Sequence, residues 1–403
     1  VTIEDKLGLL QWVTDLSLSQ LGPLGYLLIP LGLIVAATRL PKTVFAALLW
    51  LLFSCTWLLV MMVPFENAAQ QHAVFLPYPS TAYLCLSVFA ALAMTFLLAR
   101  WKKAPTGITS LAMISVLITV IVFNLPQNNR RETHLADVWG RTLLSLPIHG
   151  AMLMIKGDNQ TGVAGYLHMI EGVRKDIELN QWDGVIYPNR RVNPFDSRTA
   201  RQDDWTRIIS NSQRPVYSVE PYLQPSTNLG LAHKLSATTS IELDPRADDF
   251  LDYLLDIYPL RQQLHHHEQL LLFDLLKHYA YQYYDLTRSG RLPASHQQRM
   301  ALLQDTFAAK IVLISNQPYF SGVAGKPELR SIFHNVTSTP DLLLSRSIRA
   351  SLYQGAAMVA LSAPPDKEMA ISLLKTAISI FPNAANPAYC QLSQLTDPGA
   401  ESC

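Results

Sequence analysis

Four long apolar runs crowd the front of this chain, at 21–37, 44–63, 80–98 and 108–123. A helix that crosses a bilayer needs roughly 17–25 predominantly apolar residues, and the four runs are about that long. None carries a charge at its centre, where an ion would cost about 3 kcal/mol or more. The first run holds Pro23 and Pro30. Proline is tolerated in membrane helices because neighbours satisfy the freed carbonyls, so a kink is expected there.

Short loops set the orientation. Arg39 and Lys42 separate runs one and two, and Arg100, Lys102 and Lys103 separate runs three and four. The intervening loop 64–79 contains neither Lys nor Arg. Basic loops stay cytoplasmic. The stub 1–20, the loop 64–79 and everything after 123 are therefore expected outside, most simply in a bacterial inner membrane with a periplasmic C-terminal half. Leu9, Trp12, Val13 and Leu16 form one apolar stripe in the stub, as in a helix lying in the interface.

Composition alone would not have separated this chain from a soluble one: 49% of residues are hydrophobic and 16% are charged. The segregation is what matters, because the charge lies almost wholly behind Pro126. A formal charge of +1 gives no basic face for a nucleic acid. Cys55 and Cys85 fall inside apolar runs, whereas Cys390 and Cys403 lie in the outside portion, where a disulfide is permitted. No leader pattern follows Val1, and the chain reads as the C-terminal part of a longer protein.

Behind the apolar runs the pattern turns mixed. Residues 151–155 are a continuous apolar run of strand length, suited to a strand covered on both faces. The stretch IKGDNQTGVAGYLHMIEGVRKDIEL then breaks at Gly157, Asp158 and Asn159. It continues with Val163, Leu167, Ile170 and Val173 at helical spacing and resumes as a strand at 177–179. This is a βαβ unit. A helix at 203–211 and strands at 215–219 and 229–235 make a layer of three or four strands. Beyond Pro245 only helices are predicted, at 249–257, 265–288, 295–315, 341–361 and 367–381. The last pair, with Ala356, Ala357, Ala360, Ala370, Leu374 and Ala377, has tetratricopeptide-like spacing. The expected architecture is a multi-pass α-helical membrane region followed by an extracytoplasmic α/β (βαβ) layer and an all-α, tetratricopeptide-like tail. Its boundaries are 1–20 for the stub, 21–125 for the membrane helices, 126–245 for the α/β domain and 246–403 for the helical domain.

Two places attract attention as sites. Gly157 can take positive φ where the strand turns, and Asn159 or Thr161 can cap the following helix. Asp158 and Asn159 also stand at the carboxyl end of a strand, where open α/β sheets bind ligands. No glycine-rich phosphate fingerprint accompanies them. In the loop 64–79, Glu66, His72 and Tyr78 supply polar groups at the outer membrane boundary. His267, Asp274 and His278 share a helix face, but no HExxH pattern is present, so no metal is assigned.

The segment LPIHGAMLMIKGDNQTGVAGYLHMIEGVRKDIEL resembles a recurring stretch of the domain of unknown function 2723 family of membrane proteins. There an apolar strand leads into Gly-Asp-Asn, then Tyr-Leu, Glu-Gly-x-Arg and Asp. The corresponding residues are Gly157, Asp158, Asn159, Tyr166, Leu167, Glu171, Gly172, Arg174 and Asp176. QRPVY (213–217), NLGLAHKL (228–235) and VFLPYPSTAYL (74–84) look like further parts of the pattern. That family is similar to protein O-mannosyltransferases, multi-spanning GT-C glycosyltransferases. The resemblance implies a membrane lipid setting, a polyprenyl-phosphate sugar donor, an acceptor protein and no cofactor. It implies catalytic acids in the first extracytoplasmic loop, which this stretch of chain lacks, so no catalytic residue is carried over. A polysaccharide polymerase or ligase using the same lipid carriers is a narrower rival. A membrane-anchored scaffold binding partner proteins through the helical tail is the alternative of a different class.

Overall fold

The computed structural model describes residues 2–67, 71–72, 75, 78–100, 111, 114–115, 117–122, 134–184, 191–219, 225–264, 266–316, 326–338, 345–362, 365–382 and 386–396. The chain forms two compact units. One comprises Val1–Glu132, Pro340–Ser351 and Ala377–Asn386, and the other Thr133–Thr339, Leu352–Thr376 and Pro387–Cys403. Most described residues are helical, and a small mixed sheet completes the fold.

In the first unit, α1 (Ile3–Arg39), α2 (Lys42–Phe53) and α3 (Ser80–Arg100) dominate. α2 continues through a π turn at Ser54–Leu58 into Leu59–Met62. Among the described residues three stretches are long and apolar enough to cross a membrane: Gln20–Arg39, Lys42–Met62 and Ser80–Arg100. The fourth expected span, 108–123, lies only partly among the described residues, and its described part at 117–122 is helical. Large apolar side chains point outward, with Leu27 73% exposed, Leu84 66% and Trp50 62%. Water would penalise such a belt and lipid would not.

The kink expected at the prolines sits at Gly22 (φ 66°, ψ 165°). The reason is steric: the ring of Pro23 pushes the residue before it out of the helical region. The stub stripe is also placed differently from expectation. Leu9 and Val13 are buried against Val60 and Phe75, so this face packs on protein. Further along, α1 meets α3 around Ile29, Ala36 and Phe89. Gly32 permits the approach, since a Cβ there would lie 1.8 Å from the Phe89 carbonyl oxygen.

The second unit begins with α4 (Leu135–Ser145), followed by β1 (Met152–Ile155), α5 (Asp158–Gly165), a π turn at Tyr166–Ile170 and β2 (Glu178–Gln181). Then come α6 (Arg198–Ser210), β3 (Val216–Ser218), β4 (Ser226–Asn228), β5 (His233–Leu235) and β6 (Ser240–Ile241). The sheet order is β2-β1-β3-β5-β4-β6. β1 runs parallel to both neighbours, pairing Leu153 with Leu179 and with Tyr217. All four β1 residues are buried, as its unbroken apolar run predicts.

The expected single strand at 229–235 is instead a reversal. β4 and β5 pair antiparallel, and the Leu229 amide donates to the Ala232 carbonyl across the turn. The layer therefore has six strands rather than three or four.

One sheet face is filled by Met152, Met154, Val216, Trp182 and Trp205, with Ile209 from α6. The two indoles stack at 5.9 Å, and Trp205 Nε1 donates to the Trp182 carbonyl at 2.8 Å. Truncating a buried aromatic costs about 3–5 kcal/mol. Trp205→Ala is accordingly expected to lower the unfolding free energy of this unit by that amount and so to lower its urea midpoint, read from the fluorescence of the remaining tryptophans. An unchanged midpoint would contradict this core assignment.

Helices complete the unit: α7 (Pro245–Ile257), α8 (His266–Arg288), α9 (Gln297–Gln304), α10 (Phe307–Ser315) and α11 (Lys326–Ser338). α12 (Arg346–Leu361) and α13 (Lys367–Ile380) contain boundaries between the two units, and α14 (Pro387–Thr396) follows. The helix expected over 295–315 is broken, because the Thr306 hydroxyl accepts from the Ala309 amide and starts α10 afresh. The small residues noted in the tail, Ala357, Ala360, Ala370, Leu374 and Ala377, are buried.

Candidate functional site

The corner after β1 is built by backbone geometry. Gly157 has φ 83° and serves as the N-cap of α5, with no side-chain cap. The helix therefore starts earlier than the expected capping by Asn159 or Thr161 would place it. Gln160 reaches back instead, its Oε1 accepting from the Lys156 amide at 3.2 Å. Asp158 and Asn159 form the first two residues of α5; their side chains lie outside the described atoms.

Beside this corner lies a cavity of about 430 Å³. Gln160 enters it from α5 and Val219 from just past β3, so it opens at the carboxyl ends of the parallel strands. Open α/β sheets bind ligands at that edge. Trp139, Leu231, Leu275 and Val312 give it apolar walls. Asp274, Lys277, His278, Tyr281 and Asn316 supply polar groups. This mixture suits a ligand with both apolar and hydroxyl-rich surface.

Charge fixes the helix that carries Trp139. The buried Glu268 accepts from the Leu135 amide at 3.1 Å, at the start of α4. At its other end Arg174 donates to the Leu144 carbonyl at 3.0 Å and to the Pro147 carbonyl at 2.8 Å, while gripping Asp176 through two 2.8 Å bonds. Arg246 reaches the Ser145 and Leu146 carbonyls and pairs with Asp244. An acid at the N-terminus and two cations at the C-terminus both complement the helix dipole. The paired Arg174 guanidinium holds the Asp176 carboxyl far below its ordinary range. Gly172 (φ 73°) and Arg174 (φ 53°) turn the chain into β2, and Glu171 pairs with Arg141.

On the helix face of His267, Asp274 and His278, two of the three have identified partners. His278 Nε2 lies 2.8 Å from the Gly230 carbonyl, and Gln282 donates to the same oxygen. Asp274 pairs with Lys277 at 3.3 Å. Among the described residues no group of three or more His, Cys, Asp or Glu could hold an ion.

Nearby His233 has its pKa lowered to about 4, chiefly by burial and secondarily by the charge of His278. Above pH 6.5, the ordinary value, both folded and unfolded imidazoles are neutral and this stability is fully present. As pH falls toward 4 the unfolded chain takes up a proton that the folded one resists, and stability is lost. A loss on the order of 2 kcal/mol is expected across that window, allowing for partial exposure. Denaturation of His233→Gln at successive pH values should show a flatter profile than the parent.

Glu66, His72 and Tyr78 gather separately, in the first unit. The Arg346 amide donates to Glu66 Oε2 at 2.9 Å. His72 stacks on Trp12 at 4.4 Å, with its Nε2 2.7 Å from Asn67 Oδ1. Tyr78 is half exposed and stacks on Phe75, which also abuts Trp12. Beneath them the buried Asp5 pairs with Arg346 at 2.9 Å and accepts from the Asn67 amide. Burial alone would raise the Asp5 pKa, but hydrogen bonds from Thr2 and Asn67 and the charge of Arg346 bring it below its ordinary value. Asp5 is thus a paired anion rather than a proton donor. Asp5 and Arg346 stand at opposite ends of the sequence, with no local pattern linking them.

Cys390 is disulfide-bonded, whereas Cys55 and Cys85 are free. Searches against protein-family models, curated proteins and solved structures returned no match to this chain.

Proposed function

We propose that this chain is the C-terminal part of a membrane glycosyltransferase of the domain of unknown function 2723 kind, transferring sugar from a polyprenyl-phosphate donor to a protein acceptor. In this reading the three long apolar helices and a fourth span anchor it, and the sheet unit projects on the extracytoplasmic side. The polar cluster of Glu66, His72 and Tyr78 stands at the outer boundary, near the lipid-borne phosphate. The helical tail serves as a tetratricopeptide-like acceptor-binding surface.

The observation that carries the reading is the β1–Gly157–α5 corner. Gln160, which directly follows Gly157–Asp158–Asn159, and Leu231 of the NLGLAHKL stretch line a cavity at the edge where α/β sheets take ligands.

Purified full-length protein, reconstituted in lipid with polyprenyl-phosphate hexoses and serine- or threonine-containing peptides, is expected to glycosylate the peptide. Transfer to a glycan acceptor alone would move the assignment to the polymerase class. An absence of transfer to either acceptor would overturn the glycosyltransferase reading.

A further inference from the structure

Away from the cavity, Ser295, His296 and Asp248 are aligned. His296 Nε2 lies 2.7 Å from Asp248 Oδ2. A carboxylate can only accept, so this bond places the ring proton on Nε2 and leaves Nδ1 a lone pair. Ser295 Oγ lies 3.0 Å from that Nδ1 and therefore donates to it. The carboxylate is itself held in place. Asp248 is 8% exposed, the Tyr283 hydroxyl donates to its Oδ1 at 3.4 Å, and Arg299 stands 3.6 Å from Oδ2. Arg299 is anchored in turn on Asp252 by two 2.7 Å bonds. The serine is exposed, with Ala294, Gln297 and Gln298 exposed around it.

Serine becomes a nucleophile when a base takes its proton and a third group orients the base. That constellation is recognised by geometry and role, not by sequence order. We propose that Ser295 is an activated nucleophile, with His296 as its base and Asp248 as the positioning residue, acting on short-chain carboxylic esters. The exposed, polar surroundings favour a small acyl group over a long one. In the reaction, Oγ bonds to the ester carbonyl carbon as its proton passes to His296 Nδ1. The carbon–alkoxy bond then breaks and the alcohol leaves with that proton. Water repeats the sequence on the acyl-serine, releasing the carboxylic acid and restoring Ser295.

The test uses the full chain in detergent, treated with a fluorophosphonate probe and mapped by mass spectrometry. Ser289, exposed on a nearby turn, is the internal reference. Ser295 is expected to label at least about tenfold faster than Ser289 and to turn over p-nitrophenyl acetate. Both signals should be lost in Ser295→Ala. Asp248→Asn lets its amide donate to Nε2, moving the ring proton to face the serine. That change should cut Ser295 labelling at least about tenfold while the melting temperature stays within a few degrees. A merely structural Asp248 would shift melting and spare the ratio of Ser295 to Ser289 labelling. Equal labelling of the two serines, or an unchanged ratio in a folded Asp248→Asn protein, would overturn the proposal.

Discussion

Replacing Arg174 by alanine is expected to destabilise the sheet unit, because it takes the bidentate partner from Asp176 and a charged donor from the end of α4. Two losses combine. Asp176, only 23% exposed in its side chain, loses its bidentate partner. The carbonyls of Leu144, Ser145 and Pro147 lose a charged donor, at about 1.5–3 kcal/mol for a hydrogen bond to a charged group. Arg246 remains and can take over part of the helix end. Arg174 also holds a left-handed backbone, φ 53°, which costs a side-chain-bearing residue about 1–2 kcal/mol. Arg174→Gly should therefore be more stable than Arg174→Ala by about that amount, yet weaker than the parent. Urea unfolding of the full chain, followed by Trp182 and Trp205 fluorescence, compares the parent with both variants. An alanine variant with the parent's urea midpoint would refute the clamp.

Gly32→Leu is the second large effect, and it acts in the other unit. An added Cβ would meet the Phe89 carbonyl oxygen at 1.8 Å and its carbonyl carbon at 2.4 Å. The obstacle is backbone inside a helix, so no rotamer change relieves it, and α1 and α3 must separate. Helices in lipid associate through close packing at small residues, so separation removes their main attraction. Cys85, one turn before Phe89 and only 4% exposed, reports the event. Its alkylation by a membrane-permeant maleimide should rise clearly above the parent's, with Gly32→Ala intermediate. Continued protection of Cys85 would mean that the seam lies elsewhere.

The contrast between these two residues shows what the sequence could carry. The apolar runs are local signals, so three of them could be read directly as long helices. β1 was equally legible, because five consecutive apolar residues leave a strand no exposed face. Gly157 announced its own turn. The β4–β5 reversal is not legible in the sequence, because Leu229 and Leu231 flank Gly230 and imitate a strand, while the backbone at Gly230 has φ 103°. Thr306 was a readable cap inside what looked like one helix. The grip of Arg174 and Arg246 on α4, and of Arg346 on Asp5, joins residues distant in sequence. No periodicity encodes such pairs. Of the candidate residues, Glu66, His72 and Tyr78 do share one cluster, whereas the wall of the cavity came from α4, α8 and α10, which nothing in the Gly-Asp-Asn stretch foretold.

The motif residues themselves divide between turning and holding. Gly157, Gly172 and Arg174 shape the backbone, and Glu171, Arg174 and Asp176 make ion pairs that fix α4 and hence the Trp139 wall of the cavity. A pattern of this kind is what a ligand site needs from its supporting shell.

Everything functional in this account depends on which side of the lipid the sheet unit occupies. A cysteine introduced at the exposed Ser289 decides it. In intact cells expressing the full-length protein, a membrane-impermeant maleimide is expected to label Ser289→Cys from outside. Labelling only after the membrane has been opened would place the unit in the cytoplasm and contradict the account.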